Sequence, residues 1–286
     1  MAVYKHNYRV YSGEITPRWS RFLILTRYSA RGIFESKILI ALFAVSLFYP
    51  LLCTVALYLN HNTSILAAVK FSGDHLFDID GNFFMLFLTI QSSLAFLLTA
   101  IIGPGLVAPD LANNALPLYF CRPLSRAEYV IGRGCVIVFL LSFVTWVPGL
   151  LLFGVETTLA GYAWGWANRS FAAGIFVGGW IWIIFLALLA LAISAWVRWK
   201  IVAGGLLLGV MFVNAGFAEA FNGILRTKAG HYFDVAALNA SIWANFFGVD
   251  LPTHIPTANA CLTLGLICGL LILILQRKVR AFEVIR

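Results

Sequence analysis

Six stretches of almost unbroken apolar sequence dominate this chain: Ile38 to Leu59, Phe83 to Ala108, Cys135 to Val155, Phe171 to Val197, Ile201 to Phe221 and Asn259 to Leu275. Crossing a bilayer takes about 20 such residues in helical form. Backbone groups in lipid must bond within the chain, so only helices and closed barrels span. None of the six shows the roughly ten-residue polar/apolar alternation of a barrel strand. Charged residues are 11% of the chain, against roughly 25% in soluble proteins, and no other segment is long enough to build a large soluble core. The sequence therefore predicts an all-α integral membrane protein of one domain, 1–286, with six spans in 38–275, an N-terminal segment 1–37 and a tail 276–286.

Basic residues set the expected sidedness. Of the 20 Lys and Arg, all but Lys70, Arg169, Arg226 and Lys228 fall before span one, between spans two and three, between spans four and five, or after span six. Cytoplasmic flanks collect such residues, which predicts both termini in the cytoplasm. This topology, with attraction of basic flanks to anionic lipid, accounts for the net charge of +8. No compact basic domain exists to bind nucleic acid. The N-terminus lacks the short apolar core and small-residue cleavage site of a signal peptide. Cys53, Cys121, Cys135, Cys261 and Cys268 are scattered without a CxxC pair, as expected of small buried hydrophobes rather than disulfides or metal ligands.

Several local features refine this picture. From Pro17 onward, Trp19, Phe22, Leu23, Leu25, Ile33 and Phe34 alternate with Arg18, Arg21, Arg27 and Arg31, the pattern of an amphipathic helix lying on the inner membrane surface. Pro50 is expected to kink the first span beside Phe48. Thr89, Ser92, Ser93 and Thr99 recur at helical spacing in the second span, with Gln91 off that face. Such a stripe packs against helices or lines a polar cavity. Asn214 and Glu219 are the strongly polar groups in the outer half of the fifth span. Phe48, Thr89, Ser93, Asn214 and Glu219 are thus the candidates for a substrate path. Gly174-x-x-x-Gly178 and Gly205-x-x-x-Gly209 place paired small residues on one helix face, which predicts close helix packing at both. Val235 to Phe247 is apolar but too short to cross, and is expected to dip into or lie on the outer surface.

The inner loop between spans two and three runs from Pro109 to Arg133. Asp110 is placed to cap a short helix carrying Leu111, Leu116 and Leu118. Pro123 ends that structure, and Ser125 with Glu128 three residues on forms a capping box. Leu, Tyr and Phe beside Arg122 and Arg126 suit either docking into a protein groove or an interfacial turn joining two helices.

This loop resembles the D-L-x-N-x-A-L-P-L-Y-x-x-R-P-L-S-R-x-E-Y-x-x-G-[KR] pattern of type-2 ABC exporter permeases, without a gap from Asp110 to Arg133. The tail is similar to the family's ending at Arg280, Glu283 and Arg286. Arg133 stands where lysine is common, and Phe120-Cys121 where small polar residues are frequent. The resemblance implies a permease subunit of an ATP-driven exporter in the cytoplasmic membrane of a bacterium, paired with a second permease copy or a related permease. It also implies a coupling helix that fits a separate ATPase through Asp110, Leu111, Asn113, Asn114, Leu116, Tyr119, Arg122, Pro123, Arg126, Glu128 and Tyr129. ATP and Mg would belong to that partner, since no G-x-x-x-x-G-K-[ST] phosphate loop occurs here. The scarcity of polar groups in the spans suits a lipid, hydrophobic peptide or amphipathic drug as cargo.

Two other classes fit less well. An enzyme needs convergent catalytic groups, yet His6, His61, His75, His231 and His254 fall in loops and no HExxH or GxSxG occurs. An ion-coupled carrier or channel tends to show midplane charges, and carriers often show inverted repeats; neither is visible in the sequence.

Overall fold

The computed structural model describes residues 17, 20–62, 77–121, 124–250, 253 and 255–278. These form α1 (Arg21–Phe34), α2 (Lys37–His61), α3 (Gly81–Ile102), α4 (Pro104–Ala112), α5 (Leu116–Phe120), α6 (Arg126–Val144), α7 (Trp146–Ala160), α8 (Tyr162–Ala167), α9 (Arg169–Trp196), α10 (Lys200–Leu225), α11 (Val235–Phe247) and α12 (Thr257–Lys278). There is no strand among the described residues. Six units are long and apolar enough to cross a membrane: α2, α3 with α4, α6 with α7, α9, α10 and α12. The described residues form an all-helical fold, and its six candidate spans mark a membrane protein.

The second and third spans are longer than their apolar cores suggested, at Gly81–Ala112 and Arg126–Ala160, and each is broken once. Pro104 lacks an N–H, and one turn on the Ala108 N–H donates to Ser194 Oγ at 2.8 Å, which in turn donates to the Pro104 carbonyl at 3.2 Å. A hydroxyl inserted into the ladder bends a helix, and here it also ties α4 to α9. At Gly103 a Cβ would sit 2.5 Å from that of Ala190, so glycine permits the approach. The α6/α7 break lies at Thr145 (φ −105°, ψ −89°), three residues before Pro148, whose ring obstructs the carbonyl four residues back.

α9 is the axis of the bundle. Ile183, Leu186 and Ala190 are wholly buried, and α3, α4, α6, α7, α10, α11 and α12 all pack on it. α2, α10 and α12 are peripheral, with Leu51, Phe212 and Leu266 among many exposed apolar side chains, the surface of a helix solvated by lipid. α1 starts later than Pro17 and packs on α6; Arg18, Trp19 and the tail residues Arg280, Glu283 and Arg286 lie outside the described residues.

α11 is wedged into the bundle rather than laid over it. Asp234 caps it, accepting from the Ala236 and Ala237 amides at 2.9 and 3.3 Å, and Gly248 ends it at φ +66°. The Gly174/Gly178 face of α9 receives it: added Cβ atoms there would fall 2.6 Å from Phe246 Cβ and 2.0 Å from Trp243 Nε1. The second glycine pair corrects the expectation of packing. Among the described residues nothing lies within 4 Å of the Cβ positions at Gly205 or Gly209, because α10 turns that face away from the other described helices.

Candidate functional site

Two sites emerge, one at the basic end of the bundle and one near its middle. At the basic end, α4, α5 and α6 make a tight elbow. Asn114 turns the chain at φ +51°, a region that asparagine tolerates, and the Ala115 amide donates to the Asp110 carbonyl at 2.8 Å. Ser125 and Glu128 form a capping box on α6: the Glu128 amide donates to Ser125 Oγ at 3.2 Å and the Ser125 amide to Glu128 Oε2 at 2.6 Å.

Asp110 does not cap a helix. It sits in the last turn of α4, and its Oδ2 accepts from Tyr129 Oη at 2.6 Å and from Arg133 Nη2. Arg133 Nη1 donates to Ser29 Oγ of α1 at 2.6 Å. The guanidinium carbon lies 5.6 Å from the Tyr129 ring centroid and 6.0 Å from that of Tyr119, within cation–π range. The two rings are 5.5 Å apart. Beside this hub, Thr26 Oγ1 donates to the Gly132 carbonyl at 2.9 Å, and a Cβ on Gly132 would lie 3.0 Å from the Phe22 carbonyl oxygen, so glycine lets α1 seat against α6. One carboxylate thus joins the end of the second span to the start of the third, and Arg133 extends the tie to α1. A charge pair this enclosed is favourable only when hydrogen bonds meet its remaining polar atoms; here two tyrosines and a serine meet most of them, while Arg133 Nε has no hydrogen-bond partner among the described residues.

The motif residues divide by this geometry. Tyr129 and Leu116 are buried, Leu111, Tyr119 and Glu128 are partly buried, and Asn113, Asn114 and Leu118 are exposed, Leu118 by 72%. Arg122 and Pro123 lie outside the described residues. Arg126 is exposed and lines a cavity shared with α9 and α12.

The second site is a cleft of about 80 Å³ between α3, α9 and α11, lined by Thr89, Ser92, Ser93, Trp182, Asn239 and Trp243 among others. Ser92 lies about 16 Å along α3 from Gly81 at 1.5 Å per residue, roughly half of a 30 Å hydrocarbon layer. Thr89 and Ser93 donate to the Met85 and Thr89 carbonyls at 2.8 and 2.9 Å, so each hydroxyl keeps its acceptor capacity. Ser92 Oγ, both polar atoms of the Asn239 side chain and Trp243 Nε1 are buried without a hydrogen-bond partner among the described residues. Each such group costs about 1–3 kcal/mol unless something meets it. The cleft is large enough for water or a small polar group. Gln91, off this face, donates to the Ser46 carbonyl at 2.8 Å.

Phe48, Asn214 and Glu219 do not line this cleft. Phe48 and Glu219 are exposed on α2 and α10. Sequence reasoning missed Ser29, Arg133 as the partner of Asp110, and Asn239. The i, i+4 spacing of Tyr129 and Arg133 was the available signal for the hub; Ser29 and Asn239 carried none. It also missed a pair at the far end, where His61 Nε2 lies 3.1 Å from both carboxylate oxygens of buried Glu156, joining α2 to α7. Among the described residues no group of three or more His, Cys, Asp or Glu is placed to hold a metal ion.

No family and no curated protein matches the chain.

Proposed function

We propose that the chain is the permease subunit of an ATP-driven exporter of the type-2 ABC class, working with a separate ATPase. The observation that carries this reading is the elbow. The 110–133 run that resembles the family's coupling segment is fastened to two spans at once through Asp110, Tyr129 and Arg133, while Asn113, Asn114 and Leu118 face outward. A partner pressing on that surface would move the second and third spans and α1 together, which is what coupling requires.

On this reading Asp110, Tyr129 and Arg133 are positioning residues, and the outward side chains make the contact. ATP and Mg are bound by the partner, and its preference for one conformation of the pair drives the cycle. The neutral cleft at Thr89, Ser92, Ser93 and Asn239 lies on the cargo path and suits a lipid, hydrophobic peptide or amphipathic drug with an uncharged hydrogen-bonding group. A second permease copy would meet the open Gly205/Gly209 face of α10. The basic end, with both chain termini, faces the cytoplasm of a bacterial cell.

The test is recovery of the chain from native membranes in mild detergent, followed by mass spectrometry and ATPase assay. A stoichiometric nucleotide-binding protein, lost on Leu118→Asp, supports the reading. An ATPase-silent chain recovered alone from several detergents, with export persisting on an ion gradient after ATP depletion, replaces it with a secondary carrier.

A further inference from the structure

Between the first turns of α6, the later half of α9 and the last turns of α12 lies a cavity of about 530 Å³, within the roughly 300–1,000 Å³ of small-molecule sites. Its walls are Ala127, Val130, Ile131, Leu188, Ile272 and Leu275. Arg126 and Gln276 also line it, and by helix register they are its outermost residues on α6 and α12, at the basic end.

Arg126 is poorly placed for its own helix. It occupies the first position of α6, where the positive end of the helix dipole disfavours a cation. It has no ion-pair partner among the described residues, and the acid in its turn, Glu128, caps the Ser125 amide. Arg277 and Lys278 follow directly on α12, with Lys278 Nζ 4.3 Å from the Trp196 ring centroid. The cavity therefore joins apolar walls at membrane depth to a cation, a carboxamide and a helix N-terminus at the interface. The cation and the helix N-terminus favour an anion, the carboxamide can donate a hydrogen bond to one, and basic pockets between membrane helices are sites for anionic head groups.

We propose that this cavity holds one anionic phospholipid, an acyl chain against Ile131, Leu188 and Ile272 and the phosphate on Arg126 and Gln276. The inference rests on the membrane character of the chain and not on the exporter reading, so the two fail separately.

Native mass spectrometry of the purified chain, equilibrated with equal amounts of phosphatidylglycerol and phosphatidylcholine, reads the preference directly. One phosphatidylglycerol per chain is expected to survive activation, favoured about fivefold over phosphatidylcholine, the effect of a single arginine at a lipid surface. Arg126→Gln is expected to remove the preference, Ala127→Phe to fill the cavity and lose the retained lipid, and Arg31→Gln to change neither. Equal retention of the two lipids by the wild-type chain overturns the proposal whatever the variants do. So does a preference that survives Arg126→Gln.

Discussion

Tyr129→Phe is the sharpest perturbation of the hub, because it removes one hydroxyl and nothing else. Tyr129 is wholly buried and its hydroxyl donates to the Asp110 carboxylate at 2.6 Å. A hydrogen bond to a charged group contributes about 1.5–3 kcal/mol, so the variant should lose that much. Asp110→Ala removes the acceptor and leaves Arg133, itself largely buried, without its counter-charge; stripping one partner from such a pair costs about 3–5 kcal/mol. With no carboxylate left, the Tyr129 hydroxyl has little to lose, so the double variant should be close to Asp110→Ala alone. The cycle should give a coupling of at least about 1 kcal/mol, within the range for residues sharing a network. Unfolding by SDS in mixed micelles, followed by tryptophan fluorescence, measures all four proteins. Strict additivity, or a Tyr129→Phe loss below about 0.5 kcal/mol, would refute the claim that one carboxylate fastens the two spans.

Two further predictions follow from packing and polarity. Gly178→Ala drives a Cβ against the Trp243 indole and should cost about 1–3 kcal/mol as overpacking, whereas Gly205→Ala, with open space around it, should stabilise the isolated chain by about 0.5–1 kcal/mol through helix propensity; the same micelle titration ranks them. Asn239→Leu removes two buried unpartnered polar atoms and should leave stability unchanged or raised, while lowering ATP-dependent export from inverted vesicles; a loss of more than about 1 kcal/mol would mean that the carboxamide is already bonded.

The spans were legible because long apolar runs leave few alternatives once lipid is the solvent. Their ends were not. Asp110 and Arg133 look like loop charges in a linear reading, yet they neutralise each other across 23 residues, which lets the helices continue past the apolar cores. The same blindness hid the pairing of His61 with Glu156, two residues 95 apart in the chain that meet only in the fold. Identical GxxxG spacings had opposite outcomes, since a small-residue face specifies that a neighbour can approach but not which element arrives: α11 fills Gly174/Gly178, and none of the described residues fills Gly205/Gly209. The capping box at Ser125 and Glu128 was readable because both partners sit three residues apart on one chain segment. Ser29 and Asn239 became visible only when α1 and α11 were brought against α6 and α3.

The most direct test of the coupling account uses Cys121, which is exposed beside α5. In a Cys261→Ser background, which removes the other exposed thiol, a photo-activatable cross-linker on Cys121 in native membranes should capture a nucleotide-binding ATPase, with capture changing on ATP addition and lost on Leu118→Asp. Full labelling of Cys121 with no ATPase captured, with or without ATP, would contradict the claim that this elbow is where a separate ATPase engages the membrane subunit.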